Sequence, residues 1–190
     1  MTLLILSVLV AVALFISILV VALKTTPKKV TMSSALLAVS EMVELEGLSL
    51  KNPTQVFDDA EYRILRSNPA LTGVAKRFRK QRQELALMWL SLLLSDLQKL
   101  SRFRGFLIRS GLPAKPSEEI EIFYTFVFSV FFLNLLKSFV RVLGPFALHG
   151  TMRRARLPVE RMSYASARLL NRLPSAQWQD IARGWQDCKA

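Results

Sequence analysis

The run from Leu3 to Leu23 has no charge, no proline and no glycine, is interrupted only by Ser7 and Ser17, and is followed by Lys24, Lys28 and Lys29. As a helix it covers about 30 Å at ~1.5 Å per residue, the thickness of a bilayer's hydrocarbon core, and it satisfies its own backbone hydrogen bonds there. The expectation is a transmembrane anchor over residues 1–24. A secretory signal peptide would need a basic start, a shorter apolar stretch and a small-residue cleavage site. Here Met1 and Thr2 carry no side-chain charge, the run is too long, and Val20-Val21-Ala22-Leu23 precedes the lysines. The nearby cations all follow the run, so the positive-inside bias puts the N-terminus outside and the bulk of the chain in the cytoplasm. That describes a single-pass protein of the cell membrane.

Beyond the anchor, a chain of 190 residues has material for one compact domain. Cys188 is the single cysteine, which excludes an intrachain disulfide and a cysteine-based metal site and fits a reducing compartment. Twenty-six Lys and Arg against fourteen Asp and Glu leave a formal charge of +12. Such an excess draws anionic lipid headgroups, nucleic acid or acidic protein surfaces, and for a chain already at a membrane, lipid is the nearest.

Periodicity indicates an all-α fold: the N-terminal transmembrane helix, then an irregular helical bundle with one long amphipathic helix and one Phe-rich hydrophobic helix. Residues 25–69 read as a linker with two short helices. The first is capped by Ser33 or Ser34 and stopped by Gly47; the second is capped by Thr54 and runs to about Ser67, before Asn68-Pro69. Residues 70–190 form the bundle. Its long helix is expected over about 71–109, where Phe78, Leu85, Trp89, Leu92, Leu100 and Phe103 recur at three- and four-residue steps. The hydrophobic helix follows over about 117–143, started by Ser117-Glu118-Glu119 and ended by Gly144-Pro145. Two further helices are expected at about 158–173 and 175–187. A second membrane crossing by 117–143 would carry residues 150–190 outside with eight Lys and Arg against three acids, reversing the bias that orients the anchor. A helix buried in the bundle or half-sunk in the interface is the preferred reading.

Asp96 falls in the middle of the long helix's apolar stripe, where a lone carboxylate is costly. Lys137 and Arg141 are its expected partners in a buried ion pair, because with Asn134 and Ser138 they form the polar stripe of the Phe-rich helix. A proton-carrying or ligand-binding acid is the functional alternative for Asp96. Lys76, Arg77, Arg79, Lys80, Arg82, Arg102 and Arg109 make the long helix cationic and are the expected contacts to lipid or another anion. Only Phe78 interleaves with the densest part of that cluster, which argues against a base-stacking platform. Trp89, Trp178 and Trp185 are expected in packing or at the membrane interface. His149 reads as a loop residue and Glu121 as a first-turn acid.

No catalytic, metal or nucleotide constellation is visible, and no cofactor is implied. The leading expectation is a non-enzymatic membrane-anchored helical protein, a scaffold or accessory subunit whose basic amphipathic surface contacts anionic lipid or a partner protein. The alternative is a two-span integral subunit of a transport or electron-transfer type complex, with Asp96, Lys137 and Arg141 as an intramembrane polar cluster. A membrane-tethered nucleic-acid binder comes third.

Overall fold

The computed structural model describes residues 34–49, 56–113, 115–148, 151 and 154–188, all within one compact unit. The expected anchor over residues 1–24, the Ser33 and Thr54 caps and His149 lie outside the described residues. The described residues are all-helical, with no strand among them.

Helix α1 (Ser34–Val43) buries Ala35, Val39 and Val43 at four-residue spacing. It ends at Val43 rather than at Gly47, because Glu44 turns the chain with a left-handed φ of 55°. Gly47 lies instead inside the short helix α2 (Glu46–Ser49). A Cβ there would sit 2.8 Å from the Leu93 nitrogen and 3.0 Å from Asp96 Oδ2. Glycine is therefore required for close approach to the next helix, not for helix termination. Helix α3 (Ala60–Ser67) ends at Asn68, whose side chain accepts from the Ala70 N–H at 3.0 Å and starts a 3₁₀ turn over Pro69–Leu71.

Helix α4 (Thr72–Arg109) has 38 residues, about 57 Å of continuous helix. Its stripe is buried from Trp89 onward through Leu93, Leu97, Leu100, Phe103 and Leu107, while Val74 and Leu85 nearer its start are exposed. Helix α5 (Pro116–Leu143) returns antiparallel along α4, with Phe132, Leu133, Leu136 and Val140 turned into the core. Proline in the first turn and Gly144 at φ +88° mark its two ends. Helix α6 (Leu157–Leu170) packs on α1, α4 and α5 and buries the small residues Ser163, Ala165, Ser166 and Ala167, which allow close approach. The last helix, α7 (Trp178–Asp187), docks through Trp185 against the rings of Phe103 and Phe106, at 5.2 and 5.7 Å between centroids.

Candidate functional site

Helix α4 carries charge on two sides, and the fold uses the two differently. On the inner side, Asp96 is fully buried. Its Oδ1 accepts from the Glu46 N–H at 3.1 Å and its Oδ2 from the Gly47 N–H at 2.7 Å. These are among the amides that the start of α2 leaves without intrahelical acceptors, so the carboxylate meets both hydrogen-bond donors and the positive end of the helix dipole. Trp89 Nε1–H donates to the Gly47 carbonyl at 3.3 Å, and Lys99 Nζ donates to the Glu44 carbonyl at 3.1 Å and to Glu46 Oε1 at 3.4 Å. Together they clasp residues 44–47 to the middle of α4.

The expected Asp96 pairing with Lys137 and Arg141 is thereby corrected. Gln83 meets Val140, and Arg104 meets Glu119, which fixes the antiparallel register of α4 and α5. In that register Asp96 lies level with Val127. Lys137 is ten residues further along, about 15 Å away at 1.5 Å per residue, and Arg141 is exposed.

The buried cation among the described residues is Arg104. Its Nε donates to Glu119 Oε2 at 3.3 Å, its Nη2 donates to Glu119 Oε1, and its Nη1 donates to the Ala165 carbonyl at 2.9 Å. One planar fork joins α4, α5 and α6, a task for which guanidinium geometry is suited and an ammonium is not. The sequence reading assigned Arg104 no role of its own. The available signal was phase, since Arg104 stands seven residues from Leu97 and four from Leu100, on the side both bury. On α6, burial lowers the pKa of Arg161, and the negative charge of Glu121 opposes that shift.

On the outer side, two of the seven expected anion contacts serve the fold. Arg79 Nη2 donates to the Leu143 carbonyl at 3.1 Å, and Gln83 Nε2 donates to the Val140 and Arg141 carbonyls at 3.0 Å each, which covers carbonyls that the end of α5 leaves open. A Cβ at Gly144 would come within 2.9 Å of the Arg79 guanidinium. Arg82 pairs with Glu61 at 2.8 Å and lies over the Phe78 ring at 4.9 Å. The remaining five, Lys76, Arg77, Lys80, Arg102 and Arg109, are exposed. They share a sector of about 100° on the α4 surface. Lys76 and Lys80 lie within about 60° of Gln83 around the helix, so this cationic face begins at the seam with α5.

The neighbouring α5 presents the opposite chemistry. Ile120, Phe123, Tyr124, Val127 and Phe131 follow one another at three- and four-residue steps on its outer side and are between 47% and 69% exposed. No charged residue occurs between Glu121 and Lys137. The polar side chains of this segment turn back on their own helix: Thr125 donates to the Glu121 carbonyl at 2.8 Å, Ser129 to Thr125, Asn134 to Val130 at 2.8 Å and Ser138 to Asn134 at 3.2 Å. By length and composition α5 is sufficient to cross a membrane.

The tryptophans are not on that surface. Trp89 packs against Phe57 at 5.5 Å, Trp185 is buried with its Nε1–H on the Met42 carbonyl at 3.2 Å, and Trp178 donates to the Leu170 carbonyl at 3.2 Å. Of the two places expected for them, packing and the membrane interface, the structure shows packing: Trp89 and Trp185 are buried, Trp178 is half-buried, and each indole N–H donates to a backbone carbonyl. Among the described residues the exposed aromatic rings are those of Phe123, Tyr124, Phe131 and Phe139, all on α5. Cys188 is exposed, and among the described residues no cluster of His, Cys, Asp or Glu is arranged to hold a metal ion. No protein-family model matches the chain, and no curated protein and no solved structure matches it either.

Proposed function

We propose that the chain is a non-enzymatic, membrane-anchored helical protein, a scaffold or accessory subunit whose α4 outer face rests on anionic lipid. The observation that carries this reading is the division of labour along α4. Arg79, Arg82 and Arg104 are tied into the fold, whereas Lys76, Arg77 and Lys80 near the start of α4 and Arg102 and Arg109 near its end are exposed on one side, with the exposed Glu84 between the two groups, and make no ion pair among the described residues. Cations near an anionic leaflet contribute about 1 kcal/mol each, and a tether to the same bilayer raises their effective concentration. A nucleic-acid partner finds less support, since that face bears no aromatic ring for stacking and Phe78 is covered by Arg82. The transport or electron-transfer alternative loses its polar cluster, because Asp96 stands about 15 Å along the helix pair from Lys137.

The test uses the full chain in nanodiscs, with acetylation of Lys76 and Lys80 read by mass spectrometry. Protection in discs containing acidic lipid, reversed by salt and missing in neutral discs, is the expected result. Equal acetylation in both discs at low salt would remove the electrostatic contact.

A further inference from the structure

We infer that α5 lies in the plane of the membrane interface, its Ile120, Phe123, Tyr124, Val127 and Phe131 face sunk among the upper acyl chains, and does not cross the bilayer. This inference rests on the membrane location proposed above and goes beyond it by assigning the occupant of the α5 outer face.

Three observations lead to lipid in this geometry. The first is length. From Ile120 to Phe131 the continuous exposed apolar stripe covers about 17 Å, little more than half of a ~30 Å hydrocarbon core, and beyond it exposed Asn134, Ser138 and Arg141 interrupt the exposed Phe139, Val142 and Leu143. A crossing would draw Lys137 or Arg141 into hydrocarbon, whereas an in-plane helix leaves both at headgroup level with their stems along apolar surface. The second is the state of the polar groups. Thr125, Asn134 and Ser138 each donate to a carbonyl four residues back, so immersion withdraws water from groups already hydrogen-bonded. The third is charge complementarity. The α4 cationic face starts at the α5 seam, and an anionic leaflet offers phosphates beside acyl chains, the chemistry that each surface takes. An apolar stripe rich in Phe and Tyr, with Glu118, Glu119 and Glu121 at its start and Lys137 and Arg141 at its end, has the amphipathic make-up of an interfacial helix, which sinks about 5–10 Å.

The experiment uses the full chain in neutral phosphatidylcholine vesicles, with Cys188→Ser as background and a nitroxide at Ile120→Cys, Val127→Cys or Phe131→Cys in turn. Depth is read from the ratio of oxygen to aqueous nickel-complex accessibility. The expected result is one shallow depth for all three sites, equal within a few ångströms. Depth that changes steadily from residue 120 to residue 131 means a crossing helix and overturns the inference. Water-exposed labels at all three sites overturn it as well, and so does broadening between labels that disappears on dilution with unlabelled protein, which would give the face to a second copy. Because the vesicles are neutral, failure of the lysine-protection experiment leaves this result standing, and failure here leaves the α4 contact standing.

Discussion

The inner and outer sides of α4 carry charge under opposite rules. Inside, Asp96 and Arg104 have fixed partners at hydrogen-bond distance and each joins separate segments of the chain. Outside, Lys76, Arg77, Lys80, Arg102 and Arg109 are held by nothing among the described residues. The difference teaches that net charge and cluster density do not assign roles. Helical phase does, by deciding which cations are desolvated and must be paired, and which remain available to a partner.

The sharpest way to break the comparison is at Arg104. Arg104→Met leaves the Glu119 carboxylate and the Ala165 carbonyl without their donor, and the expected loss is about 3 kcal/mol in a denaturant melt. Arg104→Lys should recover little of it, because one ammonium cannot serve a carboxylate fork and a carbonyl together. If Arg104→Lys melts like the parent, charge alone suffices and the three-helix tie is wrong. Next comes the clasp on Asp96. Gly47→Ala forces a Cβ against the Leu93 backbone, and Asp96→Asn keeps one acceptor where two amides donate; about 2 kcal/mol is expected for each. The double variant should lose less than the sum, since both substitutions detach the same segment. Strict additivity would mean that the two residues do not act together.

A smaller effect is expected at the end of α5. Gly144→Ala pairs a φ of +88° with crowding of Arg79, and about 1–2 kcal/mol should be lost, with faster amide exchange confined to the last turn of α5. Uniform exchange along α5 would contradict that placement. The smallest effect on stability belongs to the outer face. Lys76→Glu with Lys80→Glu should move the melt by no more than about 0.5 kcal/mol, yet remove the salt-sensitive response to acidic lipid. A large loss of stability there would show that the outer cations serve the fold after all.

Much of the architecture was readable from the letters. The long helix, expected over about 71–109, runs Thr72–Arg109, and the Phe-rich helix, expected over about 117–143, runs Pro116–Leu143. Both carry many turns of consistent periodicity bounded by Pro and Gly, so local and tertiary preferences agree. Agreement faded where a boundary depended on a neighbour. Helix α6 stops at Leu170, short of Leu173, in a turn ahead of Pro174, and Gly47 resembled a helix stop until α4 was seen to pass against it. The site was less legible for a related reason. Asp96 was recognisable as a buried acid in need of partners, but those partners are backbone amides, which every residue but proline has and no letter announces. Arg104 and Glu119 are fifteen positions apart on separate helices, and only the register of α4 and α5 brings them together.

That register has a mechanical consequence. Gln83 with the last turn of α5 and Arg104 with its first turn fasten the helices at two stations 21 residues apart, about 31 Å. Sliding one helix past the other would have to release both fastenings at once, and pivoting about either one would shear the other. The pair is therefore a splint, stiff against bending and slip, and whatever load a partner applies at one end of it is delivered to the other.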